Sequence, residues 1–274
     1  MLTFHWMNRR TQSLTPIGIR RLYSLKEKFG YDSILLTTKE FQSDNLIKCA
    51  ATIDPTKKIK YMVAIRPYSM SAQYCAQVAA AFNEVAPGRL MLNIVAGETG
   101  GEQRPPDPCF DVDIDITTHQ GRLEYVPIWL EKFTKTYAMG KKTPILVSTG
   151  NIDQINATKQ YTDISLCMIN SYLKDPDKYR LNYERRMVSA QVVIRDTDED
   201  ALAVVMNTDT DQPGIRYWTI YGSRETVKQK ILDLESIGVT DVMLNNGTDV
   251  IKQDAEVIDL LVYEIICEQK ASLA

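Results

Sequence analysis

The chain has no Cys-x-x-Cys motif. Its five cysteines (Cys49, Cys75, Cys109, Cys167 and Cys267) lie far apart, a spacing that argues against a zinc site and suits thiols in a reducing compartment. No apolar run approaches the roughly 18 residues that suggest a membrane span. The opening stretch "MLTFHWMNRR" also lacks the charged-then-apolar order of a signal peptide, so a cytoplasmic protein without membrane contact is expected. A basic excess is missing too: 32 Lys+Arg stand against 35 Asp+Glu, for a net charge of -3. Pairs such as Lys57-Lys58 and Arg185-Arg186 read as solvated surface, and nucleic acid is not an expected partner. No linker, low-complexity tract or sequence repeat divides the 274 residues, which read as one domain over 1–274.

What is present is an alternation of short apolar runs and amphipathic stretches, with 44% hydrophobic and 24% charged residues, enough to bury a sizeable core. The runs are "LTFHWM" from Leu2, "DSILLTT" from Asp32, "IKYMVAIRP" from Ile59 and "LMLNIVAG" from Leu90. They continue with "PILVSTG" from Pro144, "DISLCMIN" from Asp163, "MVSAQVVIRD" from Met187 and "TDVMLNN" from Thr240. Helical patterns lie between them, for example over 19–29 and 72–85, and in "SRETVKQKILDLESIG", with Ser223 as N-cap and Gly238 as the C-terminal stop. Eight strands, each followed by a helix, point to an α/β fold of the eight-stranded parallel β/α (TIM) barrel type. An open Rossmann-like sheet is the alternative. The long irregular segments are "ETGGEQRPPDPCFDVDIDITT" after the fourth strand and "TDTDQPGIRYW" after the seventh. Loops of that length are usually functional.

From Lys58 the chain reads "KIKYMVAIRPYSMSAQYCAQVAAAFNEVAPGRLMLNIVAGE". This stretch resembles the bacterial luciferase-like flavin monooxygenases, most closely the alkanesulfonate monooxygenase branch. The matching positions are Arg66-Pro67, Ala79-Ala80, Gly88-Arg89, Asn93 and Gly97, and "YGSRETVKQKILDLESIGVTDVMLN" resembles that family's last helix and eighth strand. The resemblance implies a barrel that holds FMN at the carboxyl ends of its strands. The FMN is supplied reduced by a separate flavin reductase and reacts with oxygen and a small organic substrate. In one branch a deazaflavin replaces FMN, and family members commonly pair as homodimers. The passage from "IWLEKFTKTYAMG" to "KKTPILVSTGN" and the crossing after the seventh strand are short for the family, so a compact barrel with reduced insertions is expected.

The fourth strand ends in Asn93, an amide able to hydrogen-bond a flavin ring edge, followed by Ala96 and Gly97, which are small enough for close approach. A strand-to-loop transition favours small residues in any case. "LVSTGN" offers Ser148, Thr149, Gly150 and Asn151 at a helix start, where hydroxyls and free N–H groups suit a phosphate. The resemblance implies that role, while ordinary capping by Thr149 or Asn151 is the plainer reading. "LNNGTD" from Leu244 is a rival cradle. His119 and Arg122 in "THQGRLEY" match a family histidine and arginine. The phosphate-binding tyrosine of the family falls on Leu123, with Tyr125 as a substitute. The third strand is where the resemblance implies a bulge or unusual peptide against the flavin, at Val63-Ala64-Ile65, with Arg66 at the mouth or in a rim ion pair. In "FHWMN", alternation leaves either His5 and Met7 or Phe4 and Trp6 facing inward.

Several departures weaken the catalytic reading. The sulfonate-cleaving branch has a cysteine after its second strand and an arginine and a histidine in its seventh, where this chain has Phe41, Ser189 and Gln191. A tyrosine of the eighth strand is replaced by Asn246 or Gly247. No carboxylate pair or nucleophile-base pair fills the gap. The favoured reading is an FMN-dependent luciferase-like monooxygenase. A flavin-binding barrel without turnover and a barrel that has lost its cofactor are the alternatives.

Overall fold

A computed structural model of the chain describes residues 1–8, 15–37, 44–53, 58–97, 114–137, 143–149, 151–180, 183–211, 214–246 and 255–273. Its strands are β1 (Thr3–Asn8), β2 (Ser33–Leu36), β3 (Lys60–Ile65), β4 (Leu90–Ile94) and β5 (Ile145–Ser148), then β6 (Ile164–Met168), β7 (Arg185–Ile194), β8 (Thr219–Gly222) and β9 (Asp241–Asn245). All pairings are parallel, and the contact of β6 with β7 closes the ring β1-β2-β3-β4-β5-β6-β7-β9. The closed eight-stranded barrel is therefore the expected fold, and its eight staves are the eight apolar runs.

The ninth strand corrects the sequence reading. β7 is 10 residues long, enough to pair with β6 over 185–189, with β9 over 187–191 and with β8 over 191–194. The segment expected to be a loop, "TDTDQPGIRYW", also carries more order than anticipated: its first four residues end a helix, and Ile215–Trp218 form a 3-10 turn.

The helices are α1 (Pro16–Lys28), α2 (Asn45–Ala50), α3 (Ala72–Val85), α4 (His119–Thr136), α5 (Ile152–Thr158), α6 (Ile169–Lys174), α7 (Pro176–Arg180), α8 (Asp198–Asp211), α9 (Arg224–Ser236) and α10 (Ala255–Ala271). Side-chain hydroxyls start several of them: Thr15, Ser71, Thr118 and Ser223 each accept from a backbone N–H of the first turn, a contact worth about 1 kcal/mol. The expected N-cap Ser223 and stop Gly238, at φ +91°, stand as read.

Each stave shows one face to the helices and one to the barrel interior. Phe4, Trp6, Ile34, Tyr61, Val63 and Leu92 join the helix-facing core. A separate buried cluster of Leu35, Met62, Met91, Leu146, Met187 and Met243, with Met7 against it, fills the middle of the barrel. Removing each such side chain from water contributes roughly 1.5–3 kcal/mol. The alternation in β1 is thereby settled: His5 and Met7 point inward.

Candidate functional site

The barrel interior has a polar layer on either side of the methionine layer, and the two differ in kind. At the amino-terminal end, His5 Nδ1 lies 2.7 Å from Ser33 Oγ, and its Nε2 lies 2.9 Å from Asp241 Oδ1. Arg185 and the Thr240 hydroxyl also donate to Asp241. Burial alone would raise the Asp241 carboxyl, but the hydrogen bonds and the charge of His5, with those of Arg185 and Thr240, hold it well below the usual carboxylate range. Every member of this layer is engaged with another, and it serves as a plug.

The carboxyl-terminal end is the mouth. The inward positions that reach it are Ala64 on β3, Asn93 on β4, Ser148 on β5, Met168 on β6, Gln191 on β7 and Asn245 on β9. Register places Ala64 beside Asn93 and Gln191 beside Asn245. Asn93 is 2% exposed and its Oδ1 has no hydrogen-bond partner; Gln191 is 0% exposed and neither atom of its amide has one. Leaving such a group unsatisfied costs about 1–3 kcal/mol. Asn245 differs, since its Nδ2 donates to Ala190 O at 3.2 Å.

Beyond Asn93 the chain turns at Gly97, whose φ of +82° favours glycine. Arg122 fixes this turn from α4. Its Nε donates to Ala96 O at 2.8 Å and its Nη1 to Thr117 O at 3.0 Å, and its guanidinium lies over the Tyr68 ring at 5.6 Å. The same helix start packs so closely that a Cβ on Gly121 would sit 1.9 Å from Asp115 O. His119, the first residue of α4, is half-buried, and its Nδ1 has no hydrogen-bond partner. Tyr125 is buried in the helix-facing core.

Arg66 follows β3 at the rim, half-buried, and its carbonyl accepts from the Ser69 N–H at 2.9 Å and hydroxyl at 2.8 Å. The bulge implied at Val63-Ala64-Ile65 is absent: β3 runs in unbroken register with β4 from Tyr61 to Ile65, with no cis peptide bond among the described residues. A continuous ladder leaves no extra residue to accommodate.

After β5, Ser148 has an exposed side chain. Thr149 donates its N–H to Leu166 O at 3.0 Å, and its hydroxyl accepts from the Asn151 N–H at 3.0 Å. Asn151 is the N-cap of α5, its Oδ1 accepting from Asp153 N at 2.8 Å and Gln154 N at 3.4 Å. The capping reading of this turn is thus realised in Asn151. Gly150 lies outside the described residues, as do Phe41, Gly247 and most of the rival cradle after Asn246.

Burial pushes the Cys49, Cys75 and Cys167 thiols up to about 12, and these three, with the exposed Cys267, are unpaired; Cys109 is not among the described residues. Among the described residues no cluster of His, Cys, Asp or Glu could hold a metal ion, and no helix is long and apolar enough to cross a membrane.

Ser189 and Gln191, which the sequence marks only as departures, prove to be inward-facing, as does Asn245, which the sequence marks only as part of the rival cradle "LNNGTD". The signal available was period-2 alternation along "MVSAQVVIRD", which puts Met187, Ser189 and Gln191 on one face.

Comparison with known proteins agrees with this geometry. Residues 1–106 match the family model of the luciferase-like monooxygenases. EDTA monooxygenase (EmoA) from Chelativorans sp. BNC1 superposes with a TM-score of 0.72 at 10% identity, over 99% of this chain and 94% of that one. An F420-dependent secondary alcohol dehydrogenase, solved with an F420-acetone adduct, gives 0.71 at 13% identity, over 97% and 98%. Riboflavin lyase (RcaE), solved with modified FMN and riboflavin, gives 0.72 at 13%, over 98% and 92%. At such identities the likeness to these structures is one of fold. The resemblance read from Arg66-Pro67 and Gly88-Arg89 thus meets a family-model match over residues 1–106 and a barrel fold shared along the whole chain.

Proposed function

We propose that the chain is an oxidoreductase that binds a reduced flavin, FMN in first place and a deazaflavin in second, at the barrel mouth and uses it on a small organic substrate. The observation that carries this reading is the buried, partnerless Oδ1 of Asn93 beside Ala64 and ahead of the left-handed Gly97. A hydrogen-bond acceptor without a partner fits an N–H on the edge of a flat ring, and small neighbours let the ring approach the backbone. The flavin supplies electrons and oxygen reactivity, the latter in its FMN form. The chain's part is to seat the ring against β3 and β4, to hold the Ala96-Gly97 turn through Arg122, and to exclude water with the methionine layer beneath. The phosphate end rests on the exposed Ser148 hydroxyl and on Thr149, since the side-chain oxygen of Asn151 is committed to α5.

The neighbours named for F420 and for FMN support a flavin-type cofactor without choosing between them. Titration with oxidised and reduced FMN, and with F420, followed by fluorescence, makes that choice. Saturable binding of FMN, weakened at least tenfold by Asn93→Leu with no loss of thermal stability, is the expected result. Binding of neither cofactor refutes the reading.

A second reading, a flavin-binding barrel without turnover, draws on the neutral side chains at all six inward mouth positions (Ala64, Asn93, Ser148, Met168, Gln191 and Asn245). It predicts bound flavin with no oxygen consumption in the presence of a flavin reductase.

A further inference from the structure

Gln191 differs from the other inward mouth side chains. It is fully buried, and both its Nε2 and its Oε1 lack a partner. An amide in that state takes part in no hydrogen-bond network of the described residues, and is explained by a ligand that supplies an acceptor and a donor side by side. In the eight-strand ring β7 lies four strands round from β3, so Gln191 faces the β3–β4 wall across the mouth. A second reactant meeting a ring seated on that wall would lie between the ring and Gln191. The strand-borne positions flanking Gln191 are Met168 on β6, Ser189 on β7 itself and Asn245 on β9, none of which carries a charge to match an anion.

We propose that Gln191 is the specificity residue for the substrate and reads a neutral cis-amide edge, the adjacent N–H and C=O of a lactam or cyclic imide. This inference rests on the proposed flavin site for the identity of the facing wall. Its recognition chemistry is the residue's own: Oε1 accepts from the ligand N–H while Nε2 donates to the ligand C=O. A site built on such a pair discriminates strongly against an analogue that lacks one half of it.

The test titrates the full chain with δ-valerolactam and glutarimide, and with butanoate as the anionic comparator, by ligand-observed NMR, with and without saturating FMN or F420. The wild-type chain is expected to bind the lactam or the imide at least fivefold more tightly than butanoate. Gln191→Leu is expected to weaken that binding at least fivefold, to leave cofactor affinity within twofold, and to keep or raise the melting temperature, because it removes two unsatisfied buried polar atoms. A lower melting temperature would assign Gln191 a structural role, and a loss of cofactor affinity would assign it to the flavin; either overturns the proposal. Equal binding of the amide probes and butanoate, or no binding of the amide probes, overturns it as well. If neither cofactor binds the wild-type chain, the flavin reading fails, while the titration of the cofactor-free protein still decides the role of Gln191.

Discussion

Asp259→Asn is expected to destabilise the chain by about 3 kcal/mol or more, because it leaves a lysine buried without its counter-charge. Lys26 on α1 and Asp259 on α10 are 1% and 0% exposed, with Nζ 2.5 Å from Oδ1. The Tyr31 hydroxyl donates to the same oxygen at 3.0 Å, and Nζ lies 3.3 Å from the centre of the Trp6 ring. The cluster pins the last helix to the first beside β1. Burial nevertheless wins over the carboxylate and lowers Lys26 from 10.5 to about 8, which sets the pH signature. Above pH 8 the folded chain has released this proton while the unfolded chain still holds it. The contribution of Lys26 to stability then rises with pH, by up to about 1.4 kcal/mol per unit, until roughly pH 10, against the opposite contribution of the buried Cys49, Cys75 and Cys167 thiols, which are raised in the folded chain. Urea unfolding of the wild type and of Lys26→Met/Tyr31→Phe/Asp259→Leu, which removes all three polar groups, measures the effect. The triple variant should recover most of the loss seen in Asp259→Asn, and between pH 8 and 10 its stability should fall relative to that of the wild type. A single variant that loses less than about 1 kcal/mol, a triple variant as unstable as the single, or a wild-type stability that falls across that window relative to the triple would refute the reasoning.

Other outcomes follow from the mouth. Gly121→Ala should cost about 2 kcal/mol or more in thermal unfolding, since the new Cβ meets the backbone oxygen of Asp115 rather than a side chain that could move. Arg122→Met should cost about 2 kcal/mol by removing charged hydrogen bonds to carbonyls, and hydrogen exchange should show the Val95, Ala96 and Gly97 amides losing protection. Ser148→Glu with Thr149→Glu should weaken FMN binding at least tenfold, about 1.4 kcal/mol, with the fold intact by circular dichroism; unchanged affinity would remove that turn from the cofactor site.

The barrel was legible because parallel staves buried on their outer face by helices and on their inner face by other side chains read as continuous apolar runs. "IKYMVAIRP" and "LMLNIVAG" show this plainly. β8 was not, because its four residues are too few for a period, and the following "SRE" begins a helix. Asn151 was legible as a cap but equally as a phosphate ligand, since one oxygen at a helix start serves either purpose until the N–H groups it meets are known. Arg122 was carried to the cofactor site by the resemblance alone, since a sequence shows a charge and not the carbonyls that surround it. The importance of Gln191 lies in partners it does not have, which only a three-dimensional arrangement can reveal.

The two polar layers of the barrel also bear on the proposed site without reference to any relative. His5, Ser33, Asp241 and Arg185 are as deeply polar as the mouth, and His5, Ser33 and Asp241 have the residue types of a hydrolytic triad. Yet His5 and Ser33 are fully buried beneath the methionine layer, and each member's hydrogen bonds go to the others. A network satisfied within itself stabilises the fold and offers nothing to a ligand. At the mouth the Oδ1 of Asn93 and the amide of Gln191 are buried and unsatisfied, a state that costs stability unless something else completes it. The distribution of missing partners thus supports the proposed site at the carboxyl ends of the strands, and replacing Asn93 or Gln191 with leucine should reveal it as stability gained where function is lost.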